Sequence, residues 1–313
     1  MPSGGRRFYC TKEVAALRFS WCFSLLAAAA WAQNPQGVPE NQTQQVSDHV
    51  YAIVGFPNIA MVVGSRATLV VDTGMGPKNG AVIVREVQKL TKNTALYLTT
   101  THFHPEHSAG EQAFPPQTIL IRNSAQQQEI ERRGQEYLNL FSSRSAQNKE
   151  LLQGVKLRNP DIVFDREANL DLGGVTARLF WLGPAHTLGD ELIFVEPDST
   201  LIPGDIVQNK QVPNMPNEDA SVQGWLAVLD QLAPLKPRHI VPDHGPLGDG
   251  SLIAQEKNFL FEVQKRALEQ KRAGTPVEDA AKLLTDEFKV KYPDWPNMGP
   301  LANIVRRVYA ESK

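Results

Sequence analysis

Residues 100–110 read TTHFHPEHSAG, which places three histidines and one carboxylate within six positions. In an extended backbone alternate side chains share one side, so His102 and His104 can converge on one ion as they leave a strand. The proline that follows suits the first turn of a helix, which predicts that Glu106 and His107 lie on a turn folded back over that ion. The stretch therefore predicts part of a metal site, with two geometries that could bind two neighbouring ions.

Length and composition indicate one large globular domain. The chain has 313 residues, of which 42% are hydrophobic, and this is enough to bury a sizeable core. The formal net charge of −2 is close to neutral. Nothing in this charge balance indicates a nucleic-acid partner.

The first 32 residues are predicted to be a secretory signal peptide. Basic residues precede an apolar run over 19–30, and the AWA of residues 30–32 has the small-x-small pattern that signal peptidases recognise. The apolar run is shorter than the roughly 20 residues of a membrane-spanning helix, so no stable membrane insertion is expected after its removal. A periplasmic or secreted protein is expected, and Arg6-Arg7 leaves twin-arginine export as the alternative to the general secretory route.

Both cysteines, Cys10 and Cys22, lie in the segment predicted to be removed. The mature chain would then have neither disulfides nor thiolate ligands, so a metal site must use histidine and carboxylate. Its formal charge becomes −5, because the removed segment has four basic residues and one acidic residue. Residues 33–47 are rich in Gln, Asn and Pro and are predicted to be a flexible lead-in.

Residues 48–250 are predicted to form the main domain, in which short strands alternate with helices. A meander of three β-type runs begins near His49, helical spacing covers 79–90, and a strand over 95–100 delivers His102. The histidine motif thus lies at the C-terminal end of a strand, where α/β layers usually bind ligands. A similar strand–helix–strand order recurs in the second half, which predicts a site at the junction of the two halves.

The polar helical stretch over 123–152 has two interpretations. A solvated helical insertion is favoured, because apolar residues are few. A lid over the site is the alternative, since helices inserted beside an active-site edge often control access.

Three predicted strand ends in the second half carry possible ligands beside glycine or proline. They are His186 in GPAHTLGD, Asp205 in PGDI and His244 in PDHGP. Five of the seven histidines now occupy candidate ligand positions. His49 and His239 are interpreted as ordinary surface or strand-edge histidines.

With this ordered set the chain resembles the metallo-β-lactamase-fold hydrolase superfamily, over roughly Val50 to Pro246. The resemblance rests on the VVDTG of residues 70–74, the His-x-His-x-acid-His motif and the three later positions, in this order. It implies an α/β (α+β) fold, the four-layer αββα sandwich, with metals at one edge between the halves. Residues 251–313 would add C-terminal helices that either pack on the sandwich or make a homodimer contact.

The resemblance also implies zinc as the cofactor, with one or two ions per chain and two favoured. The implied ligands are His102, His104, Glu106, His107, His186, Asp205 and His244. His102, His104 and His186 would hold the first ion, and Asp205 would bridge both. Asp72 would orient a ligand histidine through a hydrogen bond, and a turn-forming aspartate is the alternative.

Position 106 departs from the family, which usually has aspartate there. The extra methylene of Glu106 leaves open whether one or two ions bind, because zinc–oxygen distances are only about 2.0–2.2 Å. Glu106 and Asp205 are the candidate catalytic residues. Glu106 would hold the nucleophilic water or donate a proton to the leaving group. Asp205, where other members have cysteine, makes the ligand set more similar to glyoxalase II and lactonase branches than to Cys-containing β-lactamases.

The function expected from this ligand set is hydrolysis of a small-molecule substrate by a metal-activated hydroxide. An ester, thioester, lactone or β-lactam would be cleaved, and the sequence does not select among them. No clear anchor for a substrate carboxylate follows His186 or Asp205, and Lys210 is the nearest cation. The alternative from another class is a non-hydrolytic zinc-binding or relay component on the same fold.

Overall fold

The computed structural model describes Met1 and residues 36–216 and 218–312. Within these ranges the chain forms twelve β-strands and eight α-helices, numbered in chain order. Apart from Met1, the predicted signal peptide lies outside the described residues. None of the helices in the described ranges is both long and apolar enough to cross a membrane.

The first sheet begins as the predicted antiparallel meander and continues with parallel strands from β4 onward. Parallel neighbours need a crossover, and helix α1, Gly76–Leu90, supplies the one between β4 and β5. In the described residues this sheet has seven strands in sequential order: β1 Thr43–Gln45, β2 Val50–Ile53, β3 Ile59–Val63, β4 Ala67–Val71, β5 Ala95–Thr99, β6 Ile119–Asn123 and β7 Ile162–Phe164.

The second sheet has the order β12-β11-β10-β9-β8 and is antiparallel except at its β11–β12 pair. Helix α5, Val222–Leu232, forms the crossover between these two parallel strands. Within the described ranges the strands are β8 Glu167–Asp171, β9 Thr176–Phe180, β10 Leu192–Val195, β11 Thr200–Ile202 and β12 His239–Ile240.

Three C-terminal helices follow: α6 Ser251–Arg272, α7 Val277–Lys291 and α8 Leu301–Glu311. They share one buried apolar cluster with α5, in which the rings of Phe259 and Trp295 stack with centroids 4.7 Å apart. In the structure these helices pack against the second sheet, whose Leu192 and Leu201 belong to the same cluster. The homodimer contact stays a prediction.

One hydrophobic core lies between the two sheets. Leu69 of β4 and Leu179 of β9 are fully buried in the same cluster. Because successive strand residues face opposite sides, Val70 points to the outer face and packs with Ile83 of α1. Each such buried side chain contributes roughly 1.5–3 kcal/mol relative to an exposed one. With α5–α8 on the outer face of the second sheet, the result is the four-layer αββα sandwich that the resemblance implied.

The predicted flexible lead-in is wrong for its described part, residues 36–47. Strand β1 pairs with β2 in this segment, and Val38 is buried with its N–H donating to Asn79 Oδ1 at 3.1 Å. Glu86 of α1 accepts a hydrogen bond from the Thr43 hydroxyl at 2.6 Å. These partners satisfy the backbone and polar side chains whose composition alone predicted flexibility.

Candidate metal centre

The candidate ligands leave strands that end at one edge of the two sheets. His102 and His104 follow β5, His186 lies in the β9–β10 loop, Asp205 follows β11 and His244 follows β12. These ends meet at hydrogen-bonding distances, as expected for the carboxyl edge of an α/β layer.

The turn after His104 forms as the sequence predicted. Pro105 begins the short helix α2, Pro105–Ser108, which carries Glu106 and His107. A proline fits the first helical position because its missing N–H would have no partner there. The motif therefore supplies His102 and His104 from extended backbone and the next two candidates from a helical turn.

Three ring nitrogens converge in the first group, defined as His102, His104 and His186. Nδ1 of His104 lies 3.0 Å from Nε2 of His102 and 3.2 Å from Nε2 of His186. All three side chains are buried. Such separations fit nitrogens that share one zinc ion, because each would lie about 2.0–2.1 Å from it.

Neighbouring groups orient His186. Its Nδ1 donates to the Asn214 carbonyl at 2.8 Å, and this directs the lone pair of Nε2 toward the other two rings. The carboxylate of Asp190 accepts the backbone N–H groups of His186 at 2.8 Å and of Thr187 at 3.0 Å. Asp190 therefore fixes the loop that presents this histidine.

Asp205 lies between the two sets of candidate ligands. Its Oδ2 is 3.4 Å from Nε2 of His186, while its Oδ1 is 3.2 Å from Nε2 of His244 and 3.9 Å from Nε2 of His107. One carboxylate oxygen thus faces each set. This is the arrangement needed for a carboxylate that bridges two ions.

The second group is defined as Glu106, His107 and His244, with Asp205 shared. Among the described residues, His107 Nε2 and Glu106 Oε2 are buried without a hydrogen-bond partner. Unpartnered buried polar atoms are costly, at about 1–3 kcal/mol each, so their clustering beside Asp205 fits a divalent cation as the missing partner. The residues present therefore fit two ions.

Two carboxylates hold His107 from its other nitrogen. Nδ1 lies 3.0 Å from Asp72 Oδ2 and 3.2 Å from Asp243 Oδ2. Asp72 has a left-handed φ of 69°, which aspartate tolerates better than most residues, and its carboxylate also accepts the Thr101 N–H at 2.7 Å. The orienting role implied for Asp72 matches these contacts.

Asp243 is a site residue that the sequence interpretation missed. Its ligand atom groups with those of His102, His107 and Asp205, all within 4.8 Å of one another, so it could itself be a ligand. Asp243 faces Nδ1 of His107, however, which is the nitrogen opposite the one that faces Asp205. We therefore interpret Asp243 as orienting His107. The sequence feature that could have indicated a role for Asp243 is its position directly before His244.

The electrostatics differ between the two groups. Burial lowers the pKa of His102 and His104, and neighbouring histidines lower it further, so both rings favour the neutral form. Burial alone would also lower the pKa of His107, but the nearby carboxylates of Asp72 and Asp243 outweigh it and raise the pKa well above its usual value.

The two candidate catalytic carboxyl groups differ in the same way. Burial raises the pKa of Glu106. Burial also opposes ionisation of Asp205, but the electrostatic interactions with His244 and His186 outweigh it and hold its pKa well below the usual range. Asp205 is therefore an anion, while Glu106 can carry a proton nearer neutral pH.

Aromatic side chains form two walls. The ring of Tyr137 stacks on His104 with centroids 5.0 Å apart and an interplanar angle of 11°, and Phe56 stacks on His244 at 4.1 Å and 27°. Each aromatic ring covers one face of its histidine and so restricts the orientation of that imidazole.

Tyr137 belongs to helix α3, Ser124–Arg144, which α4, Ala146–Leu151, follows. The favoured prediction of a solvated insertion is wrong for the inner face of α3. Glu129 is buried and accepts the backbone N–H groups of Leu188 and Gly189 at 3.0 and 2.9 Å, which ties α3 to the His186 loop. Helix α3 is a packed wall of the site.

The structure thus brings together all seven predicted ligands, and their binding of metal stays a prediction. His49 and His239 lie outside the groups. His49 instead bonds to Asp198 with its ring nitrogen, at 2.7 Å.

Comparisons with known proteins agree with this geometry. The family model described as the metallo-beta-lactamase superfamily matches residues 52–244. No curated protein sequence matches the chain. Among solved structures, a metallo-beta-lactamase from Pontibacter korlensis is similar at 20% identity and a TM-score of 0.56, with 70% of this chain and 97% of that chain covered.

Two further structures share the fold. DIM-1 metallo-beta-lactamase is 16% identical with a TM-score of 0.55, and the match covers 72% of this chain and 99% of that chain. The inverting sec-alkylsulfatase Pisa1 from Pseudomonas sp. is 14% identical with a TM-score of 0.65, covering 85% of this chain and 49% of that chain. The chain belongs to the metallo-beta-lactamase superfamily, whose fold is that of metal-dependent hydrolases.

Proposed function

We propose that this protein is an exported zinc-dependent hydrolase that cleaves an ester, thioester, lactone or β-lactam bond in a small molecule. The observation that carries the proposal is Asp205, whose two oxygens face the two groups of histidines. Five histidines and two carboxylates, with no cysteine in the described residues, are a donor set that suits zinc at a hydrolytic site.

Zinc bound there would supply a hydroxide nucleophile near neutral pH and would polarise the substrate carbonyl. The protein's own contribution is position and proton transfer. Asp205 is held as an anion between the groups, so it can accept a hydrogen bond from water and fix its orientation. Glu106 has a buried oxygen and a raised pKa, so its carboxyl can give a proton to the leaving group.

Other residues keep these groups in place. Asn214 sets the tautomer of His186, and Asp72 with Asp243 sets that of His107. Tyr137 and Phe56 stack on His104 and His244, which holds these two imidazole rings in place. Export is proposed from the signal-like residues 1–32, and cleavage after Ala32 would be visible in the mass of protein recovered outside the cytoplasm.

The test is metal analysis combined with a substrate panel on the purified mature chain. The panel contains chromogenic esters, thioesters, lactones and cephalosporins, and an alkyl sulfate because one similar structure is described as an alkylsulfatase. We expect zinc and turnover of at least one carbonyl substrate, both lost on chelation and restored by zinc. Stoichiometric zinc without turnover on any substrate would favour the non-hydrolytic zinc-binding or relay component instead.

A further inference from the structure

We propose that a cavity beside the metal centre recognises an anionic group of the substrate, and that Arg144 is the residue that binds it. The substrate would then be a monoanionic amphipathic ester or thioester, with a carboxylate or sulfonate on the part that enters this cavity. The inference rests on the proposed function, because it assigns a substrate class to the same hydrolytic site.

The cavity has a volume of about 490 Å³ and lies between α3 and the loop that follows β11. Tyr137 and Leu140 give its α3 wall apolar surface, and Arg144 ends that wall. Pro216 and Asp219 lie on the opposite wall. The space is large enough for a small acyl chain with a charged end, since ligand pockets start at about 300 Å³.

Aromatic rings connect this cavity to the metal centre. Tyr137 lines the cavity, and its ring also stacks on His104 at 5.0 Å. The Phe141 ring contacts both Arg144 and His104, with the guanidinium carbon 3.6 Å from its centroid and the imidazole centroid 5.9 Å from it. The guanidinium and a candidate ligand thus share one neighbouring ring, so one substrate molecule can reach both.

The ion pairs in the cavity leave Arg144 available. Arg133 is neutralised by Asp219 at 2.8 Å and by Glu136 at 3.3 Å. For Arg144, the described residues contain no carboxylate within ion-pair distance, and its side chain is exposed. Stacking on Phe141 holds the guanidinium plane while its N–H groups stay free to bind a carboxylate in bidentate geometry.

The opposite wall limits how much negative charge the substrate can carry. Glu218 lines the cavity, is exposed and has no ion pair with the described residues. A substrate with a second negative group on that side would meet a like charge. The cavity therefore favours an anionic group near Arg144 and disfavours a second one beside Glu218.

The experiment compares two aryl esters that differ only at the end of the acyl chain, one neutral and one with a terminal carboxylate. For the wild type we expect kcat/KM to favour the carboxylate ester. In Arg144→Gln the ratio of kcat/KM for the two esters should fall by about 10- to 100-fold, because a hydrogen-bonded charge is lost. Arg144→Lys should recover part of the ratio, since a point charge lacks the bidentate fork.

Lys149→Gln is the matched control, because it removes an exposed positive charge on α4 that does not line the cavity. It should leave both the ratio and the activity unchanged. An unchanged ratio in Arg144→Gln, or an equal loss with both esters, would overturn the proposal.

A direct binding measurement separates this inference from the proposed function. The non-hydrolysable amide analogue of the carboxylate ester should bind the wild type about 10- to 100-fold more tightly than Arg144→Gln. If the wild type hydrolyses neither these esters nor any substrate of the panel, the proposed function fails, and the amide's dissociation constants still decide the role of Arg144. Equal dissociation constants for the two proteins would refute it.

Discussion

The first and second groups of the metal centre are built on different electrostatic principles. In the first group, burial lowers the pKa of all three histidines. Nδ1 of His104 lies 3.0 Å from Nε2 of His102 and 3.2 Å from Nε2 of His186. In the second group, His107 is held by the carboxylates of Asp72 and Asp243, and its pKa is raised. The first group is thus ready to bind a cation, whereas the second must first release protons.

The two ions should therefore bind with different affinities. The first group needs no rearrangement, because its three ring nitrogens already converge within 3.0 to 3.2 Å of Nδ1 of His104. The second group includes Glu106, whose buried Oε2 lacks a partner in the described residues. We expect the first ion to bind more tightly. The affinity for the second ion should depend on the length and charge of the side chain at position 106.

The largest effect should follow His104→Ala, because Nδ1 of this residue is shared by both contacts of the first group. We expect kcat/KM to fall by more than about 100-fold, since residues that only support ligands already contribute about 10- to 100-fold. Metal analysis should show loss of the first ion. His239→Ala is the control and should keep both, and full activity in His104→Ala would disprove the first group.

The next effect concerns the second group alone. Glu106→Ala should lower occupancy of the second ion by weakening its affinity about 10- to 100-fold, and should leave the first ion bound. Glu106→Asp should preserve or raise that occupancy, because it restores the residue usual in the family. Unchanged zinc content in the alanine variant would remove Glu106 from the coordination shell.

A smaller effect is expected for Asp243→Asn. The amide keeps the shape but removes one negative charge from His107, and Asp72 remains on the same nitrogen. We expect second-ion affinity to fall by about 10-fold, the low end for an orienting partner. Asp198→Asn, which removes a carboxylate from His49 outside the site, should leave metal affinity unchanged. Equal effects of the two substitutions would contradict the assignment of Asp243.

The smallest expected effect is a change in the free energy of unfolding, caused by Glu256. Glu256 of α6 is fully buried, and neither carboxyl oxygen has a hydrogen bond of good geometry with the described residues. Burial raises its pKa well above the usual value, the backbone N–H of Gln208 offsets this only in part, and the charge of Asp205 adds to it. The neutral carboxyl is therefore the form that the fold prefers.

The raised pKa of Glu256 determines how the free energy of unfolding changes with pH. Because the folded-state pKa is above the unfolded value of about 4.5, the stabilisation is present below that pH and is lost as pH rises through the folded pKa. Glu256→Gln removes this loss, so its unfolding free energy should exceed that of the wild type by about 1–3 kcal/mol at neutral pH and by less near pH 4. Denaturant unfolding at both pH values measures this, and a difference that does not change with pH would refute it.

Most of the fold could be predicted from sequence because strand ends follow local rules, and the resemblance to the family added the set of seven candidate ligands. Strand ends carrying His102, His186 and Asp205 are marked by alternating apolar residues and by glycine or proline. Asp243 could not be assigned, since its role depends on a contact with His107, which is 136 positions earlier in the chain. Only the folded structure brings these two residues together.

The polar segments were mispredicted for a related reason. Residues 36–47 and helix α3 have polar compositions, which predicted a flexible lead-in and a solvated insertion. In the structure, polar residues such as Thr43 and Glu129 find partners on distant elements, Glu86 and the backbone of Leu188. Amino-acid composition gives the polarity of a side chain, but it does not say whether the folded protein supplies a hydrogen-bond partner for it.

The most direct test of the two-group account is the zinc content of the wild type, Glu106→Ala and His104→Ala after dialysis against graded chelator. The account predicts about two equivalents in the wild type, released in two steps. Glu106→Ala should lose only the weaker step, and His104→Ala should lose the tighter one. Release of all zinc from the wild type in a single step, unchanged in Glu106→Ala, would contradict the account.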